Sequence, residues 1–263
     1  MLDYLYQLSS FNTFLILIGI SIICSVIFVI INRYFLLYKL RYKDNATIGS
    51  ISSLIGIIYG VLVGFLALYL IDNNDHASDA VRHEANATAN IYRESKWLNE
   101  PAHKYVHVQL KKYVDNIINV EWPLMKKGKD IDHTGDIIID DISSHLKNYK
   151  IVTQSDAVVM QDILTELKSL NDARRQRIEM SFSQLSPDIW QVILIGTILI
   201  VGINYAFRVN FYLHLFAISA FAIMAASMLF LLITLDRPFQ GEFTVQPDAF
   251  KVVQFFIEKS GLS

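Results

Sequence analysis

The sequence is poor in cysteine and in charge. Its single cysteine, Cys24, lies within an apolar run, which excludes an intrachain disulfide bond. Charged residues make up only 18% of the chain and the formal net charge is −2, so nothing favours binding to nucleic acid. Hydrophobic residues make up 53%, which is too many for an ordinary soluble domain. These features predict a membrane protein.

Motifs that hold cofactors or carry catalysis are also lacking. The chain has no glycine-rich phosphate loop and no serine in a nucleophile elbow. His103 and His107 have a spacing that suits a metal on one helix face, but no third ligand is evident, which favours surface histidines. Acidic residues between positions 130 and 141 lack the glycine and closing glutamate of an EF-hand, which favours a solvated loop. We therefore expect no enzyme, no metal and no cofactor.

Four long apolar runs are what the chain does have. Each is free of Asp, Glu, Lys and Arg, and each is long enough to cross a bilayer as a helix. The runs cover residues 11–31, 48–71, 189–207 and 211–235. They predict an all-α membrane protein with four transmembrane helices in two hairpins, residues 1–72 and 187–235. A helical extramembrane block, residues 73–186, lies between the hairpins, and a tail covers residues 236–263.

The second span carries a stripe of small residues at about four-residue spacing: Gly49, Ser53, Gly56, Gly60 and Gly64. Small residues let helices approach closely in a membrane, so helix packing is favoured over pore lining. Beyond the span, residues 72–98 contain no Pro or Gly, which predicts that one helix continues out of the membrane. Asp72, Asp75 and Asp79 begin this part. In a symmetric oligomer they would form acidic rings that favour cations at a pore mouth, although a solvated helix start is the plainer interpretation.

The distribution of Lys and Arg predicts the orientation in the membrane. Basic residues are concentrated in the two short connections, with Arg33, Lys39, Arg41 and Lys43 in the first and Arg208 in the second. The positive-inside rule then places both connections in the cytoplasm of a bacterial inner membrane. The extramembrane block and both termini are accordingly expected on the extracytoplasmic side.

The extramembrane block reads as a series of helices. One begins near Pro101, runs to about residue 120 and is expected to end at Glu121, Trp122 and Pro123. Two more cover residues 136–148 and 155–185, and Ser155 is the expected cap of the second.

Two charges on apolar helix faces indicate a buried ion pair in this block. Glu84 lies about 12 residues beyond Asp72, or ~18 Å from the membrane at helical rise. Arg174 lies about 13 residues before Pro187, or ~20 Å by the same rise. Because an unpaired charge on a packing face is costly, we predict that Glu84 pairs with Arg174, with Arg177 as a second partner. The alternative is that these side chains reach solvent.

Several motifs along the chain resemble the bestrophin-like domain family, a bacterial membrane family named by analogy with bestrophin channels. The matching pieces are residues 56–65, 81–87, 121–125, 171–177 and 235–241, with Tyr92, Arg93, Tyr113, Pro187 and Trp190. The resemblance marks Glu121, Trp122, Pro123, Asp236, Arg237 and Pro238 as structural motif residues. It also adds Tyr59 to the pore-lining or packing candidates of the second span, because in bestrophins that span lines the pore.

The resemblance implies a ring with a central pore, and a pentamer if the likeness extends to true bestrophins. The chain departs from animal bestrophins in lacking a dense acidic run after the fourth span, and in the side of the membrane predicted for its polar block. We expect an integral membrane homo-oligomer that acts as an ion channel or channel-like pore. Its expected partners are the lipid bilayer, copies of itself and ions. The alternative is a non-conducting sensor or accessory protein whose extramembrane helices bind a partner.

Overall fold

The computed structural model describes residues 9–35, 42–241 and 244–260. Within these ranges every regular element is a helix and no strand occurs. Four of the helices have segments long and apolar enough to cross a membrane: Ser10–Ile31, part of Tyr42–Trp97, Pro187–Asn204 and Phe211–Leu235. The predicted all-helical fold with four spans is therefore confirmed.

The helices are numbered here in chain order. They are α1 (Ser10–Phe35), α2 (Asn45–Glu94), α3 (Ala102–Asn116), α4 (Trp122–Lys126), α5 (Thr134–Lys147), α6 (Gln154–Ser181), α7 (Pro187–Asn204), α8 (Phe211–Leu235) and α9 (Asp248–Ser260). A π-helix, Ile117–Glu121, joins α3 to α4, and short 3-10 turns, Tyr42–Asp44 and Ser95–Trp97, flank α2.

The second span and the polar residues after it form one helix, as predicted. Helix α2 has 50 residues and no break, because no proline interrupts its backbone hydrogen bonds. It runs through both of the compact units into which the chain divides. We call these the membrane unit and the extramembrane unit. The membrane unit holds the described residues up to Asp72, Gln184–Arg237 and Gly241. The extramembrane unit holds Asn73–Ser183, Pro238–Gln240 and the described residues from Thr244.

In the membrane unit, α1 packs along α8 and the two connections between spans are tied together. The rings of Phe14 and Phe230 lie 5.0 Å apart between centroids. The side-chain amide of Asn45 donates to the carbonyl of Arg208 and accepts from its N–H, both at 2.9 Å. The Arg208 guanidinium also lies 5.0 Å from the ring centroid of Tyr42. These contacts hold the start of α2 against the turn between α7 and α8.

The extramembrane unit surrounds an apolar core built from α2, α3, α5, α6 and α9. Val106, Leu110 and Tyr113, which share one face of α3, are buried. Phe250 of α9 and Phe239, from the segment after α8, pack edge-on against Trp122. The tail residues thereby complete the core of this unit.

Three helix boundaries differ from the sequence-based expectation. The helix that begins near Pro101 does not end at Pro123, because the π-helix widens one turn and Pro123 then falls in the first turn of α4, where its missing N–H costs nothing. The cap of α6 is Thr153 rather than Ser155, with Asp156 completing a capping box. Helix α6 ends at Ser181 rather than near residue 185, and Ser186, directly before Pro187, has an extended backbone.

The third span is also shorter than expected. Helix α7 ends at Asn204, and Tyr205 donates its N–H to the carbonyl of Gly202 at 3.1 Å, which tightens the last turn. Of the residues used to predict the orientation, Lys39 and Arg41 and the side chain of Arg33 lie outside the described residues.

Candidate functional site

The membrane half of α2 is buried on one side only. Tyr59, Val63 and Leu70 belong to an apolar cluster that includes residues of α7 and α8. The ring of Tyr59 covers Gly196 of α7 so closely that a Cβ there would lie 2.5 Å from Tyr59 Cδ2. The Tyr59 hydroxyl lies 2.6 Å from the Thr197 hydroxyl. Tyr59, a pore-lining or packing candidate from the sequence, therefore sits on the packing side.

The small-residue stripe of α2 divides into two parts. A Cβ at Gly49 would meet Phe207 at 3.8 Å, and one at Gly56 would meet Ile200 at 3.3 Å, so these glycines pack within the protomer. Gly60 and Gly64 are exposed, and a Cβ at either would meet nothing within 4 Å. Ser53 is exposed as well. Packing within the protomer thus explains the small residues at Gly49 and Gly56, but it does not explain those at Ser53, Gly60 and Gly64.

A stripe of unburied side chains follows the opposite face of α2 through both units. In the membrane half it contains the exposed residues Ile57, Val61 and Leu68 with Gly64. It continues with Asp72, Asp75 and Asp79, all exposed. The spacing of three and four residues keeps these positions on one face of a helix. The predicted pore-mouth residues therefore lie on the same face as an apolar stripe within the span.

In the extramembrane unit, the buried face of α2 carries a carboxylate that is fully paired. Glu84 accepts from Nε and Nη2 of Arg177 at 2.5 and 3.0 Å, and from the Tyr113 hydroxyl at 2.6 Å. Arg177 in turn donates from Nη2 to Oε2 of Glu121 at 2.7 Å. Neither Glu84 nor Arg177 has any exposed surface. The Glu84 carboxylate of α2 is thus paired with Arg177 of α6 and Tyr113 of α3.

Arg174 pairs with other carboxylates. Its Nη1 donates to both oxygens of Glu121 at 2.8 and 2.9 Å, and its Nε donates to Asp136 at 2.7 Å. The expected direct pair between Glu84 and Arg174 is therefore wrong, and Arg177 is the partner of Glu84. The two arginines are three residues apart on one helix face, and an estimate from helical rise cannot separate positions one turn apart.

Burial and pairing compete in setting the proton affinities of this cluster. Burial alone would lower the pKa of Arg177, but the carboxylates of Glu84 and Glu121 outweigh it and raise that pKa. Burial raises the pKa of Tyr113 well above its usual value, and the adjacent Glu84 carboxylate adds to the rise. Burial also opposes ionisation of Asp136, but the Arg174 guanidinium holds the pKa of Asp136 below its usual value. Both arginines therefore stay charged and Tyr113 stays neutral.

The π-helix explains how Glu121 enters the cluster. Its wider turn brings Asn116 and Glu121, five residues apart, to one side, and Asn116 Nδ2 donates to Glu121 Oε1 at 2.9 Å. Trp122 is buried next to it and lies 5.9 Å from the Arg177 guanidinium, whereas Pro123 is exposed. The motif residues 121–123 thus supply a carboxylate, an aromatic face and a helix start.

The second motif follows α8. Asp236 is buried and its Oδ1 accepts from the backbone N–H of Leu185 at 2.6 Å, within the membrane unit. Pro238 accepts from the N–H of Val245 at 2.9 Å within the extramembrane unit, and Arg237 is half-buried between them in sequence. Hydrogen bonds to Asp236 and Pro238 thus fix the path of the chain directly after α8.

Sequence reasoning missed the role of Asp136, which it assigns to a solvated acidic loop, and the role of its neighbour Gly135. A Cβ at Gly135 would lie 2.5 Å from the Arg174 guanidinium, so the absent side chain makes room for that group. A glycine followed by an acidic residue at a helix start was the available signal. Among the described residues, no group of three or more His, Cys, Asp or Glu is placed to hold a metal.

Comparison with known proteins is consistent with this architecture. A family model described as Bestrophin-like domain matches residues 18–250. The crystal structure of a bacterial bestrophin homologue from Klebsiella pneumoniae, solved by Zn-SAD phasing, superposes with a TM-score of 0.71 at 11% identity and covers 93% of this chain and 97% of that one. A variant of a Klebsiella pneumoniae homologue gives a TM-score of 0.70 at 13% identity, with 94% and 96% covered. Among curated proteins no relative matches the chain.

Proposed function

The chain belongs to the Bestrophin-like domain family, and from this premise we propose that it is a homo-oligomeric ion channel with α2 nearest the pore axis. The observation that carries the proposal is the unburied face of α2. This helix packs on one side through Tyr59, Val63 and Leu70, and its other side is apolar in the span and polar beyond it. A helix that lines a pore needs such an uncovered face. The likeness to bestrophins makes a ring of five copies the expected assembly.

The apolar part of the stripe forms the proposed constriction. Rings of Ile57, Val61 and Leu68 around an axis would present no hydrogen-bond donors or acceptors to a passing ion. Hydrophobic constrictions of this kind gate channels by excluding water. A more polar ring, for instance with Val61→Ser, should therefore raise the ion flux.

The acidic part of the stripe forms the proposed selectivity region. Asp72, Asp75 and Asp79 are exposed along one helix face, so a ring would place three layers of carboxylates just outside the span. Rings of Asp favour cations. We infer that the pore conducts cations in preference to anions.

Ion flux from the purified protein in liposomes tests both parts. The wild-type chain should pass sodium in preference to chloride, and a variant with Asp72→Asn, Asp75→Asn and Asp79→Asn should lose most of that preference. The matched control neutralises three exposed aspartates elsewhere, with Asp140→Asn, Asp141→Asn and Asp162→Asn, and should keep it. Absence of flux at every salt and pH would reject the channel and leave the non-conducting sensor or accessory protein.

The charge distribution supports an extracytoplasmic extramembrane unit, which we propose as the orientation. Lys43 and Arg208 lie in the connections between spans, whereas Lys129 lies in the extramembrane unit. A single cysteine at Lys43 or at Lys129, with Cys24→Ser, distinguishes the two sides. Labelling of position 129 in intact cells by an impermeant reagent supports the proposal, and labelling of position 43 reverses it.

A further inference from the structure

We propose that a cavity beside Arg174 in the extramembrane unit binds a small zwitterion, namely an amino acid with an apolar side chain. Arg174 and Arg175 would hold the carboxylate of this ligand, and Asp130 would hold its ammonium group. The inference goes beyond the proposed channel and does not depend on it, because every residue that lines the cavity belongs to the extramembrane unit. It rests on a buried arginine with one unpaired donor.

The guanidinium of Arg174 has one nitrogen without a partner. The side chain is only 1% exposed, and its Nη1 and Nε donate to Glu121 and Asp136. Among the described residues, no acceptor lies within hydrogen-bonding distance of Nη2. A buried donor without an acceptor costs free energy, and most buried donors in proteins have a partner. The unpaired Nη2 therefore indicates an acceptor that comes from outside the chain.

Arg177, one turn away on α6, shows that an unpaired nitrogen is not a general feature of the cluster. Its Nε and Nη2 form one edge of the guanidinium, and both donate to Glu84. On the same edge of Arg174, Nε donates to Oδ1 of Asp136 and Nη2 is unpaired. Oδ2 of Asp136 lies 3.2 Å from Nδ1 of His133 instead. The carboxylate that could complete this edge is thus engaged by His133.

Arg174 and Asp136 both line an open cavity of about 620 Å³. This volume lies within the range of small-molecule sites. The lining carries charges of both signs, three aspartates and two arginines: Asp130, Asp132, Asp136, Arg174 and Arg175. Asp130 and Arg175 are exposed, so both can contact a ligand in the cavity. The cavity therefore offers groups for an anion and for a cation next to the unpaired Nη2.

The charges already present favour a ligand that carries both signs over a simple anion. Because Arg174 donates to the carboxylates of Glu121 and Asp136, an anion alone would bring a third negative charge to one guanidinium. A ligand ammonium near Asp130 offsets that charge. Asp132 already accepts two hydrogen bonds from the first residue of α5, so Asp130 is the carboxylate that we assign to the ammonium.

The rest of the lining favours an apolar side chain on the ligand. Ile131, Ile178 and Phe182 contribute apolar surface to the cavity beside its charged groups. Phe182 is 50% exposed. A ligand with an aliphatic side chain would remove part of this surface from water, which is favourable. L-leucine combines such a side chain with a carboxylate and an ammonium group, and is therefore the probe.

Calorimetric titration of the full chain in nanodiscs tests the site with L-leucine and two matched ligands. Isocaproate lacks only the ammonium group of leucine, and isoamylamine lacks only the carboxylate. L-leucine should bind. Isoamylamine should bind at least about tenfold more weakly, because it loses a hydrogen bond to a buried guanidinium. Isocaproate should bind about fivefold more weakly, because it loses a pair with an exposed aspartate. Absence of leucine binding, or equal affinity for leucine and either matched ligand, would overturn the proposal.

Variants of the lining locate the binding. Asp130→Asn and Arg175→Gln change exposed residues, so each should weaken leucine binding about fivefold without changing stability. Arg174→Lys keeps the charge but removes Nη2, and should abolish binding in a chain that circular dichroism shows to be folded. The controls, Asp141→Asn and Arg82→Gln, change exposed residues outside the cavity and should bind leucine as the wild type does.

The variants also give the result that would contradict the site. Unchanged affinity in both Asp130→Asn and Arg175→Gln would mean that leucine binds elsewhere, and the proposal would be wrong even if Arg174→Lys failed to fold. An equal loss of affinity in the control variants would overturn it as well. Because the readout is binding rather than ion flux, a failure of the channel proposal would leave this result unaffected.

Discussion

The two halves of α2 show how the same helix is used in two solvents. In the membrane half, few residues of the packing side are buried. These are apolar, apart from hydroxyl contacts such as that between Tyr59 and Thr197. In the extramembrane half, the packing side is dense and includes the fully buried Glu84. Water drives apolar residues together beyond the membrane, so a large core forms there that can hold a paired charge. Within lipid that driving force is absent, and much of the helix stays uncovered.

The difference separates the sites of stability and function. The extramembrane half holds α3, α5, α6 and α9 around the cluster of Glu84, Glu121, Arg174 and Arg177. The membrane half and the residues just beyond it present the uncovered face assigned to the pore. Substitutions in the cluster should therefore act through unfolding, whereas substitutions on the exposed stripe should act through conduction and assembly.

The largest expected effect comes from removing one member of the buried cluster. Arg177→Met leaves the carboxylates of Glu84 and Glu121 without their shared partner, and should destabilise the chain by about 3–5 kcal/mol. Denaturant titration of the purified protein in detergent, followed by circular dichroism, measures the change. Arg82→Met, which removes an exposed arginine from α2, is the matched control. Equal losses from the two variants would mean that the cluster does not stabilise the fold.

A double-mutant cycle sharpens the assignment of partners. Glu84 and Arg177 should couple by about 0.5–3 kcal/mol, because they are in direct contact. The cycle between Glu84 and Arg174 should give a smaller coupling, since Arg174 contacts Glu121 and Asp136 instead. The reverse order of couplings would restore the pairing expected from helical rise.

Closure of the space at Gly135 should have the next largest effect. A Cβ there would lie 2.5 Å from a guanidinium that is held by two carboxylates, so Gly135→Ala should cost about 1–3 kcal/mol. Gly202→Ala is the control in the membrane unit, where a Cβ meets nothing within 4 Å. Unfolding in detergent compares the two, and a stable Gly135→Ala protein would show that the Arg174 side chain is free to move.

Acid should weaken the extramembrane half through His107. Burial lowers the pKa of His107 to about 4, despite a 3.0 Å contact between its Nε2 and the Tyr92 carbonyl. The unfolded chain takes up a proton near pH 6.5, before the folded chain does. Stability is therefore complete above pH 6.5 and is lost as the pH falls towards 4, by about 1–2 kcal/mol for this half-buried group.

Unfolding of the wild type and of His107→Gln between pH 7 and pH 4.5 checks this expectation. The substitution should flatten the pH dependence over that interval. An unchanged slope would show that His107 is protonated as readily in the folded chain as in the unfolded one.

The smallest effect on stability is expected on the exposed stripe. Asp79→Asn and Arg82→Gln remove a surface pair on α2 and should each change stability by at most about 1 kcal/mol. Asp79→Asn should nevertheless reduce the preference for sodium over chloride in liposomes. A larger loss of stability than that of Gly135→Ala would place Asp79 in the core rather than on the stripe.

The sequence predicted the features that depend on long, uniform patterns. Four uncharged runs and a stretch without proline or glycine were enough for the spans and for the continuous helix α2, because length and hydropathy alone decide such elements. Features that depend on a single turn were less predictable. Pro123 reads as a helix end until the π-helix places it in a new first turn, and Thr153 caps α6 two residues before the expected serine.

The charge cluster was predicted in kind but not in partner. A glutamate and an arginine on apolar helix faces predicted a buried ion pair. Which of Arg174 and Arg177 contacts Glu84 depends on helix tilt and on where α6 ends. The wide turn of the π-helix brings Glu121 into the charge cluster. The missing side chain of Gly135 makes room for the Arg174 guanidinium, which then reaches Asp136. Among the small residues of α2, spacing could not show that Gly49 and Gly56 pack internally while Gly60 and Gly64 do not.

The central claim is that the uncovered face of α2 lines a conducting pore. Sodium flux into liposomes that hold Val61→Cys in a Cys24→Ser background, before and after an impermeant cationic thiol reagent, tests it most directly. The account predicts that modification at Val61 abolishes most of the flux, whereas Ile198→Cys on the exposed face of α7 leaves the flux unchanged. Undiminished flux after complete modification of Val61→Cys would contradict the claim.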